Sequence, residues 1–202
     1  KLVANLLTVA GTDRVLTMDL HSNQIQGFFD IPFDHLYAAP VLIDYFRQKE
    51  IPNLTVVAPD AGSIKMARAY AKRLGASLAL VDKRRTGADE SEVMFVIGDV
   101  DGKNVIIFDD VISTGKTIAN AAIALDKKGA KAIYVGATHA VLSGAAPKNL
   151  RNSPVREVVV TDTLTLRPEL RWEGLVTLSV SRLLGEAIRR IHEERSLSSL
   201  FV

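Results

Sequence analysis

Cysteine is absent from the 202-residue sequence. Its absence excludes disulfide bonds, thiolate metal sites and a cysteine nucleophile, and it fits a reducing compartment, so we expect a cytoplasmic location. Long apolar runs are also missing: none approaches the roughly 20 residues that a membrane-spanning helix needs. No secretory signal pattern is visible either, so we expect no membrane partner.

The sequence has little net charge of either sign. Twenty-five Lys and Arg residues face 23 Asp and Glu residues, which leaves a formal charge of +2. A nucleic-acid partner calls for a strongly basic surface, so we expect none. The local cluster Lys83–Arg85 suits the phosphates of small ligands better than a duplex.

Short apolar segments alternate with amphipathic ones along most of the chain. This alternation predicts an α/β fold with a doubly wound, mainly parallel sheet. Asp30, Pro32 and Asp34 predict a loop, and the polar stretch 83–92 predicts a second loop, which is expected to be mobile. The predicted helices are 1–10, 39–49, 63–74, 117–128 and 181–194, and the predicted strands are 14–20, 54–58, 77–81, 93–97, 105–108, 132–137, 155–160 and 175–178.

The most informative stretch is NVIIFDDVISTGKTIAN, residues 104–120. An apolar strand ends in two adjacent carboxylates, Asp109 and Asp110, and a hydroxyl- and glycine-bearing loop then opens into a helix. Backbone N–H groups at a helix N-terminus converge, and the helix dipole adds positive potential, which suits a phosphate. Carboxylates beside it suit sugar hydroxyls or a metal. This combination at the end of a strand predicts a sugar-phosphate site.

Two other interpretations of this stretch exist. Gly115-Lys116-Thr117 resembles the end of a nucleotide-binding P-loop, but that motif needs a glycine where Asp110 stands. Alternatively, Ser113 or Thr114 simply caps the helix. The cap alone does not explain why two carboxylates, which repel each other, follow an apolar strand.

The stretch 109–117 and four other segments of the chain resemble a known protein family. DDVISTGKT, residues 109–117, resembles the phosphoribosyl-pyrophosphate (PRPP) signature shared by type I phosphoribosyltransferases and ribose-phosphate pyrophosphokinases, the PRPP synthetases. Four further segments are similar to PRPP synthetases, occur in the family's order and extend the match over nearly the whole chain. They are 18–38 (MDLHSNQIQGFFDIPFDHLYA), 58–75 (APDAGSIKMARAYAKRLG), 81–85 (VDKRR) and 181–201 (SRLLGEAIRRIHEERSLSSLF).

The resemblance implies two similar, type I phosphoribosyltransferase-like α/β domains and a reaction. Residues 1–35 would be the remnant of the N-terminal domain, 36–190 the C-terminal domain, and 191–202 a tail returning toward the first. The implied enzyme transfers pyrophosphate from ATP to the anomeric hydroxyl of ribose 5-phosphate, giving PRPP and AMP. The resemblance also implies Mg²⁺ as cofactor and a homo-oligomer, a hexamer built from dimers. Since the family carries a further N-terminal region, we expect this piece alone to turn over poorly.

The resemblance assigns roles to individual positions. Lys83 and Arg85 match the catalytic pair, and His21 and Asp60 match metal ligands. From the residues alone, His21 could equally hydrogen-bond a loop, and Asp60 could cap the helix that follows it. The ribose 5-phosphate site would comprise Asp109, Asp110, Ser113, Thr114, Gly115, Lys116 and Thr117.

The chain departs from the family pattern at three positions. The family commonly has glycine at position 63, aspartate at 113 and a small residue at 116, where this chain has Ser63, Ser113 and Lys116. The serine at 113 adds a phosphate donor but removes a carboxylate from the hydroxyl site. Lys116 adds charge to the loop.

Two alternative functions remain at this stage. A type I phosphoribosyltransferase would use the same loop for PRPP, but DLHSNQIQGFF and VDKRR argue against it. A PRPP-synthetase-associated regulatory subunit would be catalytically silent. Such proteins should lose the catalytic lysine or the acidic pair, and Lys83, Asp109 and Asp110 are all present.

Overall fold

The computed structural model describes residues 1–84 and 93–200. Six helices and nine strands lie in this part of the chain. The helices are α1 Leu2–Val9, α2 Ala39–Gln48, α3 Ile64–Leu74, α4 Lys116–Lys127, α5 Ala146–Arg151 and α6 Ser181–His192. The strands are β1 Val15–Met18, β2 Phe33–Leu36, β3 Leu54–Ala58, β4 Ser77–Arg84, β5 Val93–Ile97, β6 Asn104–Ile112, β7 Ala132–Ala140, β8 Val155–Thr161 and β9 Leu175–Leu178.

The chain forms two compact units. One consists of residues 1–40 and the segment that starts at Ser181, and the other of residues 41–180. The sequence analysis placed the divisions at 35 and 190, so helix α6 falls in the first unit rather than in the larger one.

The larger unit contains a seven-stranded sheet in the order β5-β4-β3-β6-β7-β8-β9. Every neighbouring pair is parallel except β4 and β5. The predicted α/β class with a mainly parallel sheet is therefore confirmed.

Helices cover both faces of this sheet because side chains alternate along each strand. On one face, Phe108 of β6 stacks on Tyr70 of α3 with 3.8 Å between ring centroids and meets Phe46 of α2 edge-on at 5.5 Å. Gly136 of β7 leaves room for the Phe108 ring, since a Cβ there would lie 2.6 Å from it. On the other face, Ile107 packs in a fully buried cluster with the apolar stripe of α4, which comprises Ile118, Ala121, Ala122 and Leu125.

The order of the strands reverses between β3 and β6. The chain runs outward from β3 through β4 to β5 and then returns to β6, from which it runs outward the other way to β9. In open α/β sheets, ligands bind at the carboxyl ends of the strands flanking such a reversal. The residues that follow β3 and end β6 therefore border the expected ligand site.

The smaller unit contains a two-stranded parallel sheet formed by β1 and β2, with Met18 opposite Leu36. Strand β2 was not predicted, since the aspartates and proline at 30–34 indicated a loop. Asp34 instead lies within β2, where its carboxylate accepts a hydrogen bond from Arg14 Nε at 2.6 Å. Apolar side chains of α1 are exposed in this unit: Leu2 is 73% exposed and Val9 is 87% exposed.

Strands β4, β6 and β7 of the larger unit extend by three or four residues beyond their predicted ends. Strand β4 continues to Arg84, and its Lys83 lies opposite Met94 of β5. The predicted mobile loop 83–92 is therefore a strand at its first two residues, and 85–92 lie outside the described residues. Strands β6 and β7 run on to Ile112 and Ala140 because they pair with each other there. Within the described part of the chain, no helix combines the length and apolarity needed to cross a membrane.

Candidate active site

The candidate site lies at the carboxyl ends of β3 and β6, where the strand order reverses. Asp60 follows β3, Asp109 and Asp110 belong to β6, and residues 113–117 lead from β6 into α4. The structure thus brings together, in one unit and at one edge of the sheet, Asp60 and the seven residues predicted to bind ribose 5-phosphate.

Asp109 is the most perturbed group of the site. Its Oδ1 atom accepts a hydrogen bond from the Asp110 N–H at 3.0 Å. Burial, followed by the negative charges of Asp110 and Asp60, raises the pKa of the Asp109 carboxyl to about 7. A cation or a hydroxyl donor bound here would relieve this repulsion.

Asp60 is positioned by the turn that precedes α3. Its Oδ1 atom accepts hydrogen bonds from both the backbone N–H of Ser63, at 2.9 Å, and the Ser63 hydroxyl, at 3.0 Å. The cap-like contact considered in the sequence analysis is therefore present. Both hydrogen bonds use Oδ1 and neither uses Oδ2, so they are compatible with the predicted role of Asp60 as a metal ligand.

The loop at 113–117 presents an open surface. Ser113, Thr114, Lys116 and Thr117 are exposed, whereas Gly115 is buried. Gly115 adopts φ 69° immediately before α4, and a Cβ there would lie 3.2 Å from Leu150 Cγ. Both the positive φ and the close contact call for glycine. No side-chain hydrogen bond caps α4, so the interpretation of Ser113 or Thr114 as a simple helix cap is wrong.

A segment that sequence reasoning missed supports this loop from behind. The Leu142 N–H donates to the Ile112 carbonyl at 2.9 Å, and the Ser143 N–H donates to the Ser113 carbonyl at 3.0 Å. Asn149 Nδ2 donates to the Thr114 carbonyl at 2.9 Å. The local sequence signals for a turn and a helix in this segment were Gly144 and Pro147. Pro147 lies in the first turn of α5, a position where proline is common.

The other predicted site residues lie elsewhere. Lys83 is exposed near the end of β4, the strand beside β3. Arg85 lies outside the described residues.

His21 follows β1 in the smaller unit and is exposed. Hydrogen bonds that hold the turn carrying it include Leu20 N–H to His35 Nε2 at 2.9 Å and Ala38 N–H to the Asp19 carboxylate at 2.8 Å. His35 was not singled out from the sequence.

The donor chemistry at the β3–β6 edge suits a hard divalent cation. Carboxylate oxygens are the ligands that Mg²⁺ prefers, usually one or two together with substrate phosphates and water. Burial first, and then the negative charges of Asp110 and Asp60, raise the pKa of Asp109, and a bound cation would favour the ionised carboxylate. Within residues 1–84 and 93–200, no cluster of three or more His, Cys, Asp or Glu side chains is arranged to hold a metal ion by itself.

Comparison with known proteins places the chain in a family. Residues 86–202 match the family described as phosphoribosyl synthetase-associated domain. The chain is 54% identical over 202 residues to ribose-phosphate pyrophosphokinase from Gloeobacter violaceus. It is 55% identical over 203 residues to the enzyme of the same name from Synechococcus elongatus. Both matches cover 100% of this chain and 61% of the relative.

A solved structure agrees with these matches. The crystal structure of phosphoribosylpyrophosphate synthetase from Mycobacterium smegmatis superposes with a TM-score of 0.88 at 43% identity, covering 96% of this chain and 63% of that one. The chain therefore belongs to the phosphoribosyl synthetase-associated family, and the resemblance to PRPP synthetases is confirmed. It spans about 61% of the length of the curated relatives named above.

Proposed function

We propose that the protein forms PRPP by transferring the pyrophosphoryl group of ATP to the anomeric hydroxyl of ribose 5-phosphate, with release of AMP. The observation that carries this proposal is the convergence, at the reversal of the sheet, of the acidic pair of β6 with the open loop before α4. The similarity to ribose-phosphate pyrophosphokinases supports the same reaction.

The acceptor sugar would be held by the edge of β6 and the loop. Exposed hydroxyls of Ser113, Thr114 and Thr117, with the first N–H groups of α4, would bind the 5-phosphate. Asp109 and Asp110 would accept hydrogen bonds from the ribose hydroxyls. Binding in this way leaves the anomeric oxygen to attack the β-phosphorus of ATP.

Charge neutralisation and positioning would supply most of the catalysis, since pyrophosphoryl transfer needs little covalent help. Lys83 would stabilise negative charge on the transferring group, and the family pattern assigns the same role to Arg85. Lys83 lies in β4, next to β3, the strand that precedes Asp60.

We also propose Mg²⁺ as the cofactor, with His21 as one ligand of an ion that accompanies ATP and Asp60 as one ligand of a second ion near the ribose and the pyrophosphoryl group. When bound with the substrate phosphates, Mg²⁺ would neutralise their charge and orient them. The Asp60–Ser63 bonds would hold the carboxylate in one orientation for this purpose. A cytoplasmic location and a hexamer built from dimers remain further proposals from the family resemblance.

The chain's own binding site can be tested directly. We expect the 202-residue chain to bind ribose 5-phosphate in a calorimetric titration and to show little or no turnover by itself. Replacing the phosphate ester with a free hydroxyl, as in ribose, should abolish binding. A chain that binds ribose as well as ribose 5-phosphate would contradict the assignment of the loop.

Transfer itself is best tested in a chimera. The corresponding segment of the Gloeobacter violaceus relative, 54% identical to this chain, would be replaced by residues 1–202. We expect AMP release that requires both Mg²⁺ and ribose 5-phosphate. A silent chimera that is folded would favour a regulatory subunit, and pyrophosphate release from PRPP with a nucleobase would favour a phosphoribosyltransferase.

A further inference from the structure

The backbone of the phosphate loop has an unusual arrangement of carbonyl groups. Three consecutive carbonyl oxygens, those of Ile112, Ser113 and Thr114, all accept hydrogen bonds from the segment 142–149. In a regular strand, successive carbonyls point in opposite directions, so a run of three on one side marks a departure from extended structure. The Gly115 carbonyl then accepts the first bond of α4, from the Ala119 N–H at 2.9 Å.

This arrangement determines the direction of the N–H groups. All peptide bonds in the described residues are trans, so each N–H points opposite to the carbonyl of the preceding residue. The N–H groups of Ser113, Thr114 and Gly115 therefore point away from the 142–149 segment. Successive N–H groups on one side form a concave nest that binds anions.

The side of the loop that faces away from segment 142–149 is the side on which β3 lies, where the strand order reverses. Segment 142–149 follows β7, and β7 borders β6 on one side while β3 borders it on the other. N–H groups turned away from that segment therefore face the side of β3 and Asp60. The nest thus opens toward the crevice in which we place the sugar phosphate.

One face of the short helix α5 holds the nest in position. Ala146, Asn149 and Leu150 are spaced i, i+3 and i+4 and so share a face. A Cβ at Gly115 would lie 3.2 Å from Leu150 Cγ and 3.4 Å from the Ala146 carbonyl oxygen, so both residues bound the space behind the loop. Asn149 of this helix donates a side-chain hydrogen bond to the Thr114 carbonyl at 2.9 Å.

We propose that Asn149 is a positioning residue for phosphate binding: by holding the Thr114 carbonyl, it turns the Gly115 N–H toward the bound 5-phosphate. The proposal deepens the proposed function and rests on it for the identity of the sugar phosphate. Asn149 acts through the peptide bond between Thr114 and Gly115, and does not itself touch the ligand.

The bond from Asn149 matters more for orientation than for folding. Asn149 is only partly buried, and the bond lies near the surface, so its loss should change stability little. Without it, the 114–115 peptide can rotate and lose one N–H from the nest. Affinity for phosphate and thermal stability should therefore respond differently to substitution at this position.

The test compares Asn149→Ala and Asn149→Asp with the matched variants Asn152→Ala and Asn152→Asp, at the exposed end of the same helix. Calorimetry would measure the Kd of each variant for ribose 5-phosphate and for inorganic phosphate. Loss of one oriented hydrogen bond predicts about tenfold weaker binding for Asn149→Ala. Asn149→Asp should bind more weakly still, since a carboxylate cannot donate to the Thr114 carbonyl. Both Asn152 variants should bind like the parent chain.

A second measurement separates positioning from a general structural role. Adding inorganic phosphate should shift the NMR amide signal of Gly115 in the parent chain and in the Asn152 variants, and this shift should be lost in Asn149→Ala at an unchanged melting temperature. Unchanged affinity in both Asn149 variants would overturn the proposal, as would unfolding of both. If the parent chain binds inorganic phosphate in an Asn149-dependent way but does not bind ribose 5-phosphate, the positioning role stands and the proposed function fails.

Discussion

Two charged regions of the seven-stranded sheet differ in how their charges are compensated. At the end of β6, Asp109 lies among other carboxylates, and the pKa of its carboxyl rises to about 7 because burial and like charges disfavour ionisation. Near the start of β8, Glu157 accepts a hydrogen bond from Lys49 at 2.9 Å and another from the Tyr45 hydroxyl at 3.1 Å. The Lys49 ammonium also lies 5.2 Å from the centre of the Tyr45 ring.

This difference separates a structural charge from a functional one. The pair of Lys49 and Glu157 neutralises itself, and the hydrogen bond to Glu157 raises the pKa of Lys49. The carboxylates around Asp109 gain nothing from one another, so folding alone does not explain their placement. Partly buried like charges at a strand end indicate a site that is completed by a ligand.

The largest expected effect is on kcat, and it distinguishes Lys83 from Lys49. In the chimera, Lys83→Ala should lower kcat by about a hundredfold or more, since it removes a cation that stabilises the transferring group, while KM for ribose 5-phosphate changes little. Steady-state rates of AMP release measure both constants. Lys49→Ala is the control and should leave kcat unchanged. A comparable rise in KM for Lys83→Ala would mean that Lys83 binds the ground state instead.

A smaller effect concerns the pH dependence of stability. An isolated aspartate has a pKa near 3.9, whereas that of Asp109 in the folded chain is about 7. Between these values the folded state binds more protons, so the free energy of unfolding should fall as pH rises from about 4 to 7 and then level off. The raised pKa corresponds to a loss on the order of 4 kcal/mol.

The measurement is urea unfolding at several pH values for the parent chain and for Asp109→Asn. The difference between the two proteins isolates Asp109 from the other titrating groups. The asparagine variant should become the relatively more stable of the two as pH rises to 7, while losing affinity for ribose 5-phosphate. A difference that stays constant with pH would show that burial does not perturb Asp109.

The smallest effect concerns the neutralised pair. Lys49→Met should destabilise the chain by about 1–3 kcal/mol, because it leaves the largely buried Glu157 carboxylate without its cation. The double variant Lys49→Met/Glu157→Gln should recover part of this loss. Denaturant unfolding gives both values. If the single variant bound ribose 5-phosphate less tightly, the contrast between the two charged regions would be wrong.

Much of the fold follows from local patterns. Strands β3, β5 and β9 have the bounds that their apolar residues predicted, because each is a short apolar run ended by turn residues. Strand β2 and helix α5 were missed for different reasons. Asp34 in β2 is stabilised by Arg14, a partner 20 positions away, and α5 has only six residues, too few to show a helical period.

The candidate site likewise has parts that local sequence patterns predicted and parts that depend on distant residues. The acidic pair and the glycine of the loop were predicted because neighbouring residues in the sequence carry the pattern. The extension of β6 through Asp109 and Asp110 depends on pairing with β7, and the place of Lys83 in a strand depends on pairing with β5. Asn149 contacts Thr114 across 35 positions, and no local pattern marks that contact.

The amino-acid sequence by itself determined the α/β class, the family resemblance and the chemistry of the 109–117 stretch, since these depend on residue types at short spacings. Only the tertiary structure decided that β3 and β6 are neighbours, that Asp60 lies near enough to Asp109 to raise its pKa, and that α5 stands behind the loop. Such relations depend on which distant segments pack together, and packing is settled by the burial of whole faces rather than by any one stretch of residues.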